Sequence, residues 1–545
     1  MPRGRALCAL FAGSGLIVAS CSATRPLPPS PDVEETAYRT HISVLASDDF
    51  EGRRPGTRGE EKTIAYLVEQ FRKLGLKPGN GESFLQPVPL VETLASPAAS
   101  LSIAGSKGTT TLAYGKDVVL WTRRAVPVVE LSRSELIFVG YGIVAPEYQW
   151  NDYAGLDVHG KTVVVLIGDP GHASPDAKVF KGNAMTSYGR WSFKVAEAAR
   201  QGAAGVLLIH DAAAAGYGWN AVQSTWSGPQ LDRKDVVGPR AAVEGWVQSA
   251  AARALFAHAG LDFSASAAAA ARPGFKAMPL GLTADAILHS TVREIVSNNV
   301  LAIWPGSGRR QEYVVYAAHW DSLGSDPSGS GDRIFNGAVN GASGVAGLLA
   351  IAQSFSRTQP APERSAAFLV VTGGAYGLLG SAYYADHPIL PLRETAAVLD
   401  LDALHTGGPT RDVVVVGYGN TDLEDYARSA ALLQGRELGP EPDPQQGLYF
   451  RTDSFSFANA GIPVLYATGG LDDSARGPAW GRAQLEDYMA HRFRQPGDQY
   501  SPDWDVRGAL DDVKLYYDVG LRVARSRRFP RWYPNSEYRV TRNHD

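Results

Sequence analysis

The feature that most constrains this chain is a series of short, uninterrupted apolar runs between residues 299 and 466. Asn299–Trp304, Tyr313–Ala318, Ala366–Thr372, Ala397–Leu401, Val413–Val416 and Pro463–Tyr466 read as strands. Gly344–Phe355, Gly377–Asp386 and Leu423–Leu433 have helical spacing and lie between them. A strand that is apolar along its whole length must be covered on both faces, whereas a half-exposed strand alternates. The series therefore predicts an α/β fold, a mostly parallel mixed sheet sandwiched by helices. In such sheets ligands bind beyond the carboxyl ends of the strands. Tyr313–Ala318 runs directly into His319-Trp320-Asp321, and Asp400-Leu401-Asp402 closes another strand with His405 close behind. Gly337–Gly347 is rich in Gly and Ala ahead of a helix, which permits close backbone approach.

The rest of the chain divides around this series. With 545 residues it is too long for one hydrophobic core. Glu34–Leu76 is helical in pattern, with Gly75 as a stop. Leu101–Ile103 and Val118–Leu120 read as short strands. From Ala125 a second unit begins: strands at Leu136–Gly140, Thr162–Ile167 and Gly202–His210, and a helix at Phe193–Arg200, predict a compact β-rich insert. The only cysteines, Cys8 and Cys21, lie ahead of all this, so the folded body has neither a disulfide framework nor a thiolate zinc site. A formal net charge of −4 gives no electrostatic reason to expect nucleic acid.

The N-terminus reads as an export signal. Arg3 and Arg5 precede an apolar run, Ala6–Val18, too short for an ordinary membrane span. It ends in Val18-Ala19-Ser20-Cys21, the pattern of a bacterial lipobox, in which cleavage leaves a cysteine that carries lipid. Residues 1–20 are thus the expected lipoprotein signal peptide, Cys21 the lipid attachment site and 21–35 a tether. Ser22 follows the cysteine, which favours the outer membrane over the inner. The expected location is the cell envelope, facing the periplasm, with the lipid as the membrane contact.

A dizinc hydrolase needs more than one His and one Asp; it needs a full ligand set and a general base for the attacking water. No H-E-x-x-H, P-loop or G-x-S-x-G stretch is present. From the residues alone the reading stops at an exported α/β protein with a polar cleft near His319 and Asp402.

Five ordered segments carry a resemblance. Phe50-Glu51-Gly52-Arg53 with Pro55-Gly56-Thr57, Ala317-Ala318-His319-Trp320-Asp321, Ala342-Ser343-Gly344-Val345-Ala346, Gly377-Leu378-Leu379-Gly380-Ser381, and Gln495-Pro496-Gly497-Asp498 with Tyr500 resemble the motifs of the co-catalytic dizinc aminopeptidases, the aminopeptidase Y-like family. Gly140–Pro146 and Gly202–Gly205 resemble a protease-associated domain. The resemblance implies a peptidase-like domain built from 36–124 and 286–545, interrupted by a protease-associated insert over 125–285.

Residue by residue, the resemblance implies a site that is only partly kept. The first histidine ligand falls on His319, the aspartate near it on Asp321, and an aspartate ligand on Asp402. The bridging aspartate falls on Asn340, which carries no charge. The general base falls on Gly374 and a glutamate ligand on Ala375, so no catalytic position is intact. The last histidine falls on Arg494, a permanent cation expected to pair with Asp402 in place of a metal. A site of this kind implies a pseudo-peptidase that takes a peptide or protein in its cleft, with no zinc or at most one weakly bound ion. The alternative is an active, metal-dependent aminopeptidase releasing N-terminal residues, with two zinc ions held by replacement ligands from Asp400, His405, Asp453 and His491. A hydrolase of another type, using a single metal, is a third possibility.

Overall fold

The computed structural model describes residues 33–96, 100–173, 178–326 and 331–542. The expected signal segment and Cys21 lie outside the described residues. The C-terminal half forms the expected α/β layer structure. Its sheet runs in the order Glu437–Pro440, Asp412–Val416, Val464–Gly469, Thr395–Asp400, Tyr313–His319, Ser365–Val371, Met278–Trp304, Leu85–Ala95 and Gln230–Arg233. The four strands from Val464–Gly469 to Ser365–Val371 are mutually parallel. The flanking pairings are antiparallel except Asp412–Val416 with Glu437–Pro440.

Side-chain alternation explains why the central strands are apolar throughout. Val314, Tyr316, Ala318, Phe368, Val370 and Leu399 enter one core with the helices Glu35–Leu45, Gly344–Arg357 and Arg507–Arg525. Val315, Ala317, Leu369, Val371 and Val398 enter a second core on the opposite face, with Tyr384, Phe457 and Trp532. Each face is thus buried by a different layer.

Three expectations shift. Met278–Trp304 is one continuous strand of 27 residues where only Asn299–Trp304 was expected. Its first half pairs with Val128–Phe138 and Leu101–Gly105 in the insert, and its second half with Leu85–Ala95 and Ser365–Val371. One face of its first half is exposed, so polar residues there break up the apolar signal. The boundary expected at 125 cuts through the insert's own sheet. Val118–Trp121 pairs with Val243–Val247, and Leu101–Gly105 with Thr283–Asp285, so these strands share the insert's core. Lastly, the helical stretch 34–76 is two helices, Glu35–Leu45 and Arg58–Lys73, broken by a tight turn at Asp48–Arg53.

That turn delivers a key structural side chain. Arg53 is fully buried. Its Nε donates to Trp320 O at 2.8 Å, Nη1 to Asn336 O at 2.6 Å and to Leu45 O, and Nη2 to Gly337 O at 3.0 Å. One guanidinium therefore ties the N-terminal helices to the loops after the His319 strand. Arg53→Met removes these donors and strands several buried carbonyls. Urea denaturation is expected to show a loss of at least about 3 kcal/mol; a change within about 0.5 kcal/mol, typical of a surface site, would contradict this role.

Candidate functional site

Parallel register gathers three strand ends. His319 is the last residue of its strand and pairs in register with Val371, and Ala317 pairs with Asp400. The loops that follow therefore bring Gly374, His319 and Asp402 to one end of the sheet. Gly344 makes the close approach its sequence suggested: its Cα faces the Leu401 carbonyl with no room for a Cβ. This seats the helix Gly344–Arg357 directly beside the Asp402 loop.

The His319 ring is buried between two aspartates. Nδ1 lies 3.1 Å from the Asp321 carbonyl oxygen and 3.6 Å from Asp321 Oδ1. Nε2 lies 3.2 Å from Asp402 Oδ1. Burial opposes a charge on the ring, but its bonds to Asp321 and Asp402 outweigh that and hold its pKa well above the ordinary histidine range. Both ring nitrogens thus face oxygen atoms. Asp321 is fixed in turn: Oδ1 accepts from Gly374 N at 2.8 Å and Oδ2 from Ala375 N at 3.1 Å. The backbone at 374 and 375 thus cradles the aspartate.

The space above Gly374 is filled. A Cβ placed there would lie 2.5 Å from His319 Cβ and 2.6 Å from its Cγ. Ala375 lines a residual cavity of about 10 Å³ with Asn340, Arg494, Gln495 and Asp498, room for about one water molecule. Asp498 holds this loop cluster together, accepting from Val339 N at 2.9 Å, Asn340 N at 3.1 Å and the Tyr488 hydroxyl at 3.1 Å.

Arg494 does not pair with Asp402, as the sequence had suggested. Asp402 is taken by His319, and Arg494 turns to the insert, where Nη1 donates to Thr225 Oγ1 at 3.3 Å. Of the replacement ligands, Asp400 and Asp453 are each bonded through one oxygen and keep the other buried without a partner, Asp453 within electrostatic reach of His319. Asp400 Oδ2 accepts from the Ser454 amide and hydroxyl, both at 2.8 Å, and Asp453 Oδ1 accepts from Ser381 Oγ at 2.5 Å. Burial, with Asp453 and Asp402 nearby, pushes the Asp400 carboxyl well above its usual range; burial brings Asp453 to about 6. His405 packs against Gly407, Gly469 and Gly508. His491 is exposed and bonds Asp487 at 3.0 Å.

Residues 299–517 match the family model described as Peptidase family M28. Over that stretch the chain is similar to peptidase family M28. Among solved structures, an aminopeptidase from Aneurinibacillus sp. strain AM-1 is 20% identical over 90% of this chain and 94% of its own, with a TM-score of 0.53. BSAP, a zinc aminopeptidase from Bacillus subtilis, is 17% identical over 92% and 96%, with a TM-score of 0.47. A peptidase M28 precursor from Shewanella amazonensis SB2B is 17% identical over 91% and 98%, with a TM-score of 0.47. No curated protein matches the sequence. The fold is that of the Aneurinibacillus aminopeptidase.

The residues at the positions the resemblance names do not make a full ligand set for a pair of zinc ions. A ligand histidine must offer a lone pair, and His319 Nε2 is already bonded to Asp402. Asn340 and Ala375 supply no charge, and Arg494 brings a cation to the position where the resemblance expects the last ligand. Among the described residues no three His, Cys, Asp or Glu side chains converge as a metal site.

Sequence reasoning missed Arg451 and the insert's contribution. Arg451 Nη1 donates to Ala215 O at 2.7 Å, and its Cζ lies 5.4 Å from the Tyr217 ring centroid. Nothing local marks it; the neighbouring Asp453 is the only hint of a polar loop. The packing at Gly374 yields a direct prediction. Gly374→Ala forces a methyl into the His319 ring, so its urea midpoint is expected to fall by the equivalent of about 1–3 kcal/mol. Gly374→Glu should cost more, and an unchanged midpoint for both would mean the ring is free to move.

Proposed function

We propose that this protein is an exported, lipid-anchored M28 relative that binds a peptide or protein ligand without hydrolysing it. The observation that carries the reading is the His319 ring resting on Gly374, where the resemblance places the general base. A missing general base alone costs about 10²–10⁴ in rate. Here the base has no space to return without displacing His319. The working-aminopeptidase alternative needs His405 or His491 beside His319, and neither stands there. In this reading lipid on Cys21 holds the protein at the outer membrane, and the insert and M28 domain present the ligand surface to the periplasm.

The chain's own groups suit binding. Asp321 and Asp402 keep His319 in place, and Asp498 keeps the Asn340 loop closed. The test is an aminopeptidase assay on the mature chain with and without added zinc, beside a peptide-array binding screen. The expected result is retained binding with release no faster than the uncatalysed control. Zinc-dependent turnover in the native chain would sink the reading. The variant carrying Asn340→Asp, Gly374→Glu, Ala375→Glu and Arg494→His is expected to remain inactive, because position 374 has no room.

A further inference from the structure

Two guanidiniums stand where the insert meets the M28 domain, and neither forms an ion pair among the described residues. Arg451 is half-buried and donates from Nη1 to Ala215 O. Arg494 is half-buried and donates from Nη1 to Thr225 Oγ1, while its Nε is buried without a partner. Most of their N–H donors are unused. Arg451 Cζ lies 5.4 Å from the Tyr217 ring and Arg494 Cζ 5.5 Å from the Phe493 ring, and the two rings stand 6.2 Å apart, so the guanidiniums belong to one cluster. Asp402, Asp321 and Glu441 also fall within electrostatic reach, but Asp402 contacts His319, Asp321 accepts from the amides of Gly374 and Ala375, and Glu441 accepts from Gly417 N.

The contrast with other buried arginines in this chain is informative. Arg53 is spent on four carbonyls. Arg364 bonds Glu312 and two or more carbonyls, and Arg436 bonds Asp512 and Thr410. Partly desolvated like charges held side by side repel unless an anion lies between them. Arg494 moreover sits at φ +56°, a left-handed conformation that non-glycine residues rarely adopt, so the fold holds this side chain in place against a local preference. Tyr217 and Thr225 from the insert close one side of the pair; partial exposure leaves another side open.

We infer that Arg451 and Arg494 form a clamp for an anionic oxygen group, a carboxylate or a phosphate, at the seam between the insert and the M28 domain. The inference rests on reading this site as a ligand-binding cleft, and it names the charged end of the ligand. Guanidinium forks suit both anions through paired N–H···O bonds. A peptide's C-terminal carboxylate and a phosphate group are the two sources.

The mature chain is titrated calorimetrically with inorganic phosphate and with two peptides that differ only in a free C-terminal carboxylate or a C-terminal amide. Binding of phosphate, of the free-carboxylate peptide, or of both is expected. Arg451→Gln and Arg494→Gln should each weaken it by about tenfold or more, with circular dichroism unchanged. Preference for the free carboxylate over the amide assigns a peptide end; phosphate binding without that preference assigns a phosphate group. Absence of binding for every anion at millimolar concentration would overturn the clamp, and so would native affinity in both variants. The carboxylate–amide comparison uses the native chain, so a variant that fails to fold does not remove the test. Zinc-dependent turnover together with anion binding would end the non-hydrolytic reading and leave the clamp standing.

Discussion

The double commitment of His319 governs the rest of this site. Its ring stands between the Asp321 carbonyl and the Asp402 carboxylate, and it covers Gly374. A cation at Nε2 would have to come between the ring and Asp402. A ring seated on Gly374 leaves no volume for a longer side chain. Asp402, engaged by His319, is not free to neutralise Arg494. The arginine's turn toward Thr225 is the consequence, and through it the insert becomes part of the site.

The frame that supports this arrangement is tied together by interactions between distant segments. Arg53 joins the N-terminal helices to the loops at residues 320, 336 and 337. Asp498 closes the loop carrying Asn340, and the strand Met278–Trp304 runs from the insert's sheet into the M28 sheet. These are structural interactions, and any ligand-binding role needs them as much as a catalytic one does. A preserved scaffold is therefore compatible with a changed chemistry, since function resides in the site and not in the fold.

Much of this was legible in the sequence for a simple reason. Central parallel strands are apolar along their length, so Tyr313–His319, Ser365–Val371 and Thr395–Asp400 announced themselves, and with them the position of His319 and Asp402 at strand ends. The identities at 340, 374, 375 and 494 could be read by motif. What could not be read were choices made between distant segments. Whether Asp402 meets His319 or Arg494 depends on how two loops converge. Arg494 and Arg451 take their partners from Thr225 and Ala215, more than two hundred residues earlier. The strand at 278–298 escaped notice because one of its faces is solvated, and the insert's edge was misplaced because its first strands pair across a long sequence gap.

The most direct measurement is the zinc content of the full mature chain after equilibrium dialysis against zinc and removal of free metal. With His319 held by Asp321 and Asp402, the expected result is well under one zinc ion per chain, with no dependence on Asn340 or Arg494. Two tightly held zinc ions per chain would require His319 to leave Asp402 and Arg494 to vacate its position, and would contradict the arrangement on which the proposed function rests.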